Sequence, residues 1–467
     1  MVFLETGNRI MIATPVFGRR PLTSVGGSDT LTAQDGPEAI AVLSVLPEAS
    51  VVDLRAACMA RLDANTVALM TSERLTTDIE RLISEIATER RIQINRREQR
   101  TLATELVHDI LGLGPLETLL EDDSINEIMV NGPDKTFIER RGKLVLSNVR
   151  FRDTAHLASI CQRIASSIGR RIDESSPMVD ARLKDGSRVN IVFPPLALDG
   201  PYMTIRKFGK SAVDFAKLIE WGALTAPVAR ILEIAAKGRL NIVISGGTGS
   251  GKTTLMNALS RLIDEGERVV TVEDAAELQF QQPHVVRLET RPMSLEGRGE
   301  ITQRDLMRNA LRMRPDRIII GEVRGSEAFD MLQAMNTGHD GSMSTVHANT
   351  TRDAITRIEN MVQMGSMGLP LRAIRTQIVG SIDLILQVER HRDGGRRLTQ
   401  VTDVCGMEGD VITLNDIFQF EHKGEGPDGR LIGDYKVSRM PPSFLSRLAY
   451  FGLDKSWRAV LAEADQT

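Results

Sequence analysis

The 467 residues suffice for two or three domains, and 42% hydrophobic residues give those domains real cores. A formal net charge of −4 and an aromatic share of only 4% argue against a global positive field and against base stacking, so nucleic acid is not an expected ligand. Cys58, Cys161 and Cys405 lie far apart with no C-x-x-C pair, which excludes a disulfide framework and a tetracysteine zinc site and fits a reducing cytosol.

Residues 1–70 mix Gly, Pro, Ser and Thr with short apolar pieces and read as a mostly disordered segment, with a short helix near Val51 to Leu62. No basic segment followed by an apolar run marks a secretory signal there. Nowhere does the chain approach the roughly 18 consecutive apolar residues of a membrane span, so membrane contact is expected through partners.

A helical bundle is expected over 71–120. Ile79, Leu82, Ile83 and Ile86 repeat at helical spacing, as do Leu102, Leu106, Ile110 and Leu113. Between them, Glu89 to Arg100 holds five Arg against two Glu. That segment reads first as a solvated face or turn and second as a patch for acidic lipid or a partner. A small α+β domain follows over 121–208, with short strands broken at Asn131-Gly132-Pro133-Asp134, Arg141-Gly142-Lys143 and Asp185-Gly186. Residues 209–440 alternate strands and helices. The strands are continuous apolar runs, as in a parallel sheet covered on both faces. A helical tail is expected over 441–467.

The sequence Gly246-Gly247-Thr248-Gly249-Ser250-Gly251-Lys252-Thr253, with Thr254 beyond it, matches G-x-x-x-x-G-K-S/T. It lies between the apolar strand Asn241 to Ile244 and a helix carrying Leu255, Met256 and Leu259. Its glycines let backbone N–H groups converge on phosphate oxygens, and the helix start adds its positive dipole end. Lys252 would reach the β- and γ-phosphates of ATP, and the Thr253 hydroxyl would ligate Mg²⁺.

Three further clusters belong with this loop. Three isoleucines, Ile318 to Ile320, form a buried strand that delivers Glu322 to its C-terminal end, where ligands collect in open α/β sheets. Thr271 to Glu277 places Glu273, Asp274 and Glu277 after another strand, able to polarise water or hold hydrated Mg²⁺. The bland reading of that cluster is an acidic helix start. Thr337 to Asn349 carries His339 and His347 among small residues, where a phosphate-sensing role and a structural one stay open. Arg304, Arg308 and Arg312 recur every four residues, as a solvated stripe or a subunit contact.

These four boxes in this order resemble the secretion ATPases of type II and type IV secretion and of type IV pili, the GspE/PilT-like superfamily. The chain looks most similar to the CpaF/TadA branch, the motors of Tad (Flp) pili. The strings that carry this include Gly114-Pro115-Leu116, Ile128-Met129-Val130-Asn131-Gly132 and Arg171-Ile172-Asp173-Glu174. They continue with Asp180-Ala181-Arg182-Leu183, Asp185 to Asn190, Thr204 to Phe208 and Leu311 to Asp316. The resemblance spans about Leu75 to the C-terminus.

The resemblance implies a RecA-like P-loop domain behind a small α+β, PAS-like domain and a helical bundle. It implies a homohexamer at the cytoplasmic face of the inner membrane, driving a platform protein, with a regulatory ATPase of the pilus system as an open further partner. Glu277 would polarise the attacking water, Glu322 would be the Walker B acid, and His339 and His347 would form the histidine box. Arg182, Arg188 and Arg206 would reach the nucleotide from the small domain. The lack of a tetracysteine module separates the chain from some pilus-extension and type II secretion ATPases. A conjugation-type motor and a nucleic-acid translocase are the alternatives, and extension against retraction stays open.

Overall fold

The computed structural model describes residues 47–62, 70–140, 142–209, 213–291, 293, 298–365, 368–427 and 429–465. Most of the segment expected to be disordered, 1–46 and 63–69, lies outside them.

Helices Glu48–Arg61, Ser72–Glu89 and Arg96–Leu111 pack on one another. The spacing of Leu75, Ile79, Ile83 and Ile86 puts all four on one face, and each is fully buried against Leu54, Cys58 and Leu106. Burying each such side chain contributes roughly 1.5–3 kcal/mol. The helix expected near Val51 is therefore part of this bundle rather than of a disordered lead. Asn95 and Glu98 form a reciprocal capping box at the start of the third helix, so the arginine-rich segment is a helix–turn–helix junction. Asp109 ties the bundle to the next domain. Its carboxylate takes Arg55 at 3.0 Å on one side and lies 3.2 Å from His156 Nε2 on the other.

Next comes a wholly antiparallel sheet. Its strands are β1 (Ile125–Asn131), β2 (Thr136–Arg140), β3 (Lys143–Leu146), β4 (Met178–Arg182), β5 (Arg188–Val192) and β6 (Tyr202–Arg206). The spatial order is β3-β2-β1-β6-β5-β4. Period-two alternation turns Val179, Val189, Ile191, Met203 and Ile205 inward onto Leu157, Ile160 and Ile164 of helix Thr154–Ser167. The same alternation turns Arg182, Arg188 and Arg206 to the opposite face. The register sets Arg182 directly opposite Arg188, and Arg188 directly opposite Arg206. Like charges opposed on neighbouring strands repel, so this face requires anionic partners.

The nine-stranded sheet contains β7 (Ile242–Gly246), β8 (Val269–Glu273), β9 (Val285–Glu289), β10 (Arg317–Val323), β11 (Met343–Val346), β12 (Leu384–Arg390), β13 (Arg396–Glu408), β14 (Val411–Glu425) and β15 (Leu431–Val437). Its order is β15-β14-β13-β12-β7-β11-β10-β8-β9. Strands β12 to β9 run parallel. β13, β14 and β15 extend that edge antiparallel. β11 is inserted between the strand of the glycine loop and the strand of Glu322, which is RecA-like topology. Two apolar cores cover the two faces. Helices Leu445–Tyr450 and Asp454–Ala464 close one of them, with Trp457 fully buried edge-on to Phe444.

Candidate nucleotide site

β7 is buried along its whole length and ends at Gly246, so the loop 247–251 emerges at the C-terminal edge of the sheet and feeds helix Lys252–Ser260. A Cβ on Gly246 would lie 2.2 Å from the Val388 carbonyl oxygen of β12, a distance no other residue survives. Gly249 and Gly251 take φ of 68° and 102°, the left-handed region that glycine adopts without cost. Lys252 is buried, and its Nζ donates to the Gly246 and Gly247 carbonyls at 2.9 Å each. Burial lowers its ammonium pKa, with the Glu322 charge opposing.

Parallel pairing brings the acidic strand ends alongside. Glu322 Oε1 lies 3.0 Å from His347 Nε2, and that nitrogen lies 3.3 Å from Lys252 Nζ. Burial and then the Lys252 charge hold His347 below its ordinary value, so it is neutral near pH 7. At the end of β8, Glu273 is buried, and its Oε2 accepts the backbone N–H groups of Glu277 and Leu278 at 2.7 and 2.9 Å. Burial raises the Glu273 carboxyl, and it raises Asp274 against the pull of Arg324.

The arginine face of the six-stranded sheet meets this edge. Arg188 donates to Glu277 Oε1 at 2.8 Å, and Arg206 lies 3.6 Å from the same oxygen. Arg182 pairs with Glu289 of β9 at 2.7 Å and donates to the Ala276 carbonyl. A cleft of about 670 Å³ results, with Thr248 to Thr254, Glu277, Glu322, Arg188, Arg206 and His347 in its walls.

His339 lies apart from this group. It precedes β11 and His347 follows it, so they occupy opposite ends of the strand. His339 Nδ1 is 3.2 Å from the Ala334 carbonyl, and the Ser342 hydroxyl donates to the His339 carbonyl. The arginine stripe is largely exposed, with Arg304 and Arg308 both paired with Asp330 and Arg312 past the helix end at Ala310. Three cations of the site were absent from the sequence reading. Arg324 bonds to Glu322 at 3.0 Å and to Asp274 at 3.3 Å. Arg390 donates to the Gly142 carbonyl at 3.0 Å, and Arg396 donates to Gly249 at 2.8 Å. Arg324 stands two residues after Glu322, a position that could have been read. Arg390 and Arg396 carry no local signal.

The glycine cradle, the buried lysine beside it, the inserted strand and the two acidic strand ends define a P-loop nucleotide hydrolase. The family model described as "Type II/IV secretion system protein" matches residues 109–399, more than half of the chain, and the chain belongs to that family, the secretion ATPases. A Mycobacterium tuberculosis protein named for conjugal transfer is 39% identical over 318 residues, covering 67% of this chain and 89% of that protein. The conjugal transfer protein TrbB of Rhizobium radiobacter is 33% identical over 308 residues, covering 65% and 89%. The type IV secretion system protein PtlH of Bordetella pertussis is 34% identical over 323 residues, covering 64% and 94%. Among solved structures, the VirB11 ATPase of the Brucella suis type IV secretion system aligns over 62% of this chain and 94% of its own, with 31% identity and a TM-score of 0.34. The pilus retraction motor PilT aligns over 74% and 88%, with 18% identity and a TM-score of 0.48.

Proposed function

We propose that the chain is the ATP-driven motor of a Tad (Flp) pilus, a homohexamer at the cytoplasmic face of the inner membrane that works on a platform protein. The observation that carries the motor reading is the arginine row lying over Glu277. Charges from one domain converge on the catalytic edge of another, so nucleotide chemistry and domain position are coupled.

In this reading the loop amides and Lys252 bind the β- and γ-phosphates of ATP as substrate. The donor set of one hydroxyl and one carboxylate, Thr253 and Glu322, suits Mg²⁺, which would arrive with the phosphates and neutralise their charge. Glu277 takes the proton of the attacking water. Arg188 and Arg206 exchange Glu277 for the phosphoryl oxygens, whose planar arrangement matches a guanidinium fork. Arg182 holds the domains together meanwhile. His347 reports the state of the γ-phosphate to Lys252 and Glu322, and His339 receives that change at the far end of β11. No helix among the described residues is long and apolar enough to cross a membrane, so the stroke reaches the membrane through the platform.

Purified Lys252→Ala and Glu277→Ala are expected to lose ATPase activity, and wild-type turnover in either overturns the site. A second reading, a conjugation-type motor exporting DNA or protein, is favoured by the names of the relatives. A Lys252→Ala strain separates the two: loss of surface pili supports the pilus motor, while intact pili with lost plasmid transfer or effector export supports the second. Retraction is read in the same strain from pilus dynamics.

A further inference from the structure

We infer that Glu273 is a positioning residue that fixes the Glu277 and Glu322 carboxylates relative to one another from within the core. The inference rests on the nucleotide-site reading above.

Glu273 is the last residue of β8 and only 2% exposed. One of its oxygens, Oε2, accepts two consecutive backbone N–H groups, those of Glu277 and Leu278. This bond pair folds the segment after β8 back onto the strand end and fixes where the Glu277 side chain starts. The other side of Glu273 packs on the neighbouring strand. A Cβ built on Gly321 would come 3.0 Å from Glu273 Cγ and 3.5 Å from its Oε2. Gly321 is the peptide directly before Glu322, and its carbonyl is held by the Thr345 hydroxyl at 2.7 Å. One side chain therefore bonds the backbone that carries Glu277 and fills the space beside the residue that precedes Glu322.

Chemistry alone does not account for a carboxylate at this place. Its Oε1 is buried and has no hydrogen-bond partner, and an unpaired buried acceptor costs stability. A short apolar residue would avoid that cost but would release the 277–278 amides and leave Glu277 unanchored. Glycine at 321 follows from the same packing, since any side chain there presses on the Glu273 stem. Misplacing a reacting group by about 1 Å costs on the order of 10²-fold in rate, so the anchor should show in turnover and not in substrate binding.

The test measures steady-state ATPase kinetics and thermal midpoints of the full chain carrying Glu273→Ala, Glu273→Gln, Gly321→Ala or Glu277→Gln. Glu273→Ala is expected to lower kcat by about 10²-fold with KM for ATP within about twofold. Glu273→Gln keeps an amide oxygen for the two N–H groups and is expected to stay within about threefold of wild type. Gly321→Ala pushes on the same stem and is expected to lower kcat by about tenfold at unchanged KM. Wild-type kcat in Glu273→Ala overturns the inference. So does a Glu273→Gln enzyme as inactive as Glu277→Gln, because Glu273 would then be a reacting group. A joint fall of kcat and thermal midpoint with a rise in KM for Gly321→Ala also overturns it, as general damage. Should Glu273→Ala fail to fold, Glu273→Gln and Gly321→Ala decide. Wild-type turnover in Glu277→Gln removes the underlying site reading instead, whatever the Glu273 series shows.

Discussion

Arg188 of the antiparallel sheet donates to Glu277, in the segment after β8 of the parallel sheet, at 2.8 Å. Between Arg182 and Arg206, it is the centre of three arginines set side by side by register. Carboxylates relieve their mutual repulsion: Glu277 and Glu289 from the other domain, and Glu127 of the same sheet, 3.9 Å from Arg206. Loss of Arg188 should therefore act on catalysis more than on folding. Arg188→Ala is expected to lower kcat on the order of 10²-fold. Arg188→Lys is expected to recover only part of it, because an ammonium cannot offer two parallel N–H bonds. Steady-state ATPase assays of the two variants check both statements, and full activity in Arg188→Ala would remove Arg188 from the site.

Gly246 carries a prediction about the loop. Its partner in the sheet is Val388, whose carbonyl a Cβ would approach to 2.2 Å. Backbone cannot yield as a side chain end can, so Gly246→Ala must displace either the loop or β12. ATP binding by titration calorimetry is expected to be lost, and the thermal midpoint is expected to fall. Gly247, around which nothing lies within 4 Å of a built Cβ, is the control: Gly247→Ala should leave the thermal midpoint unchanged.

How much of this was legible in the sequence depends on the range over which each feature is encoded. The loop Gly246 to Thr254 and the strand Ile318 to Ile320 are local, and the structure has them as a loop between β7 and a helix and as a buried strand. Residues within one box can still part company. His339 and His347 stand eight apart, and the strand β11 between them carries them to opposite ends of the sheet. A periodic stripe was equally ambiguous, since Arg304 and Arg308 pair with Asp330, a residue on the next helix but one element away. Arg396 reaches Gly249 across 147 residues, and no spacing rule contains a contact of that length. The antiparallel extension β13–β15 escaped for a related reason: nothing in those strands marks them as continuing a parallel sheet.

That long-range contact yields its own prediction. Arg390 and Arg396 line the same cleft as the phosphate loop, Arg188 and Arg206, and Arg396 bonds the loop itself. Neither touches Glu277 or Glu322 in the structure, so their contribution should lie in ground-state binding of the polyphosphate. Interactions made equally in ground and transition states change KM and leave kcat alone. Arg390→Ala and Arg396→Ala are each expected to raise KM for ATP by about tenfold with kcat within about threefold. A fall in kcat at constant KM would instead assign them to the chemical step.

The last prediction concerns the pair that locks the base of the parallel sheet. Arg317 opens β10 and is 2% exposed, yet it is an ion. Its Nε and one terminal nitrogen meet the two Glu267 oxygens at 2.7 and 2.8 Å, and the latter nitrogen also donates to the Ala236 carbonyl at 3.1 Å. Arg239 adds a third bond to Glu267 at 2.6 Å. Gly341 is required beside it, because a Cβ there would come 2.5 Å from an Arg317 terminal nitrogen. Removing one partner of a buried pair strands the other charge, at a cost of about 3–5 kcal/mol. Glu267→Gln is therefore expected to lower the thermal midpoint by about 10 °C at pH 7. The acid limb tests the sign. Burial pushes the Glu267 carboxyl up, and the bonds and charges of Arg317 and Arg239 outweigh it, leaving it below its ordinary value. A depressed carboxyl stabilises the fold fully above its unfolded value, about 4.3, and that stability fades as pH falls through the lower folded value. The wild-type thermal midpoint should thus drop more steeply than that of Glu267→Gln below about pH 4. Parallel acid limbs in the two proteins would show that the pair is not a source of pH-dependent stability.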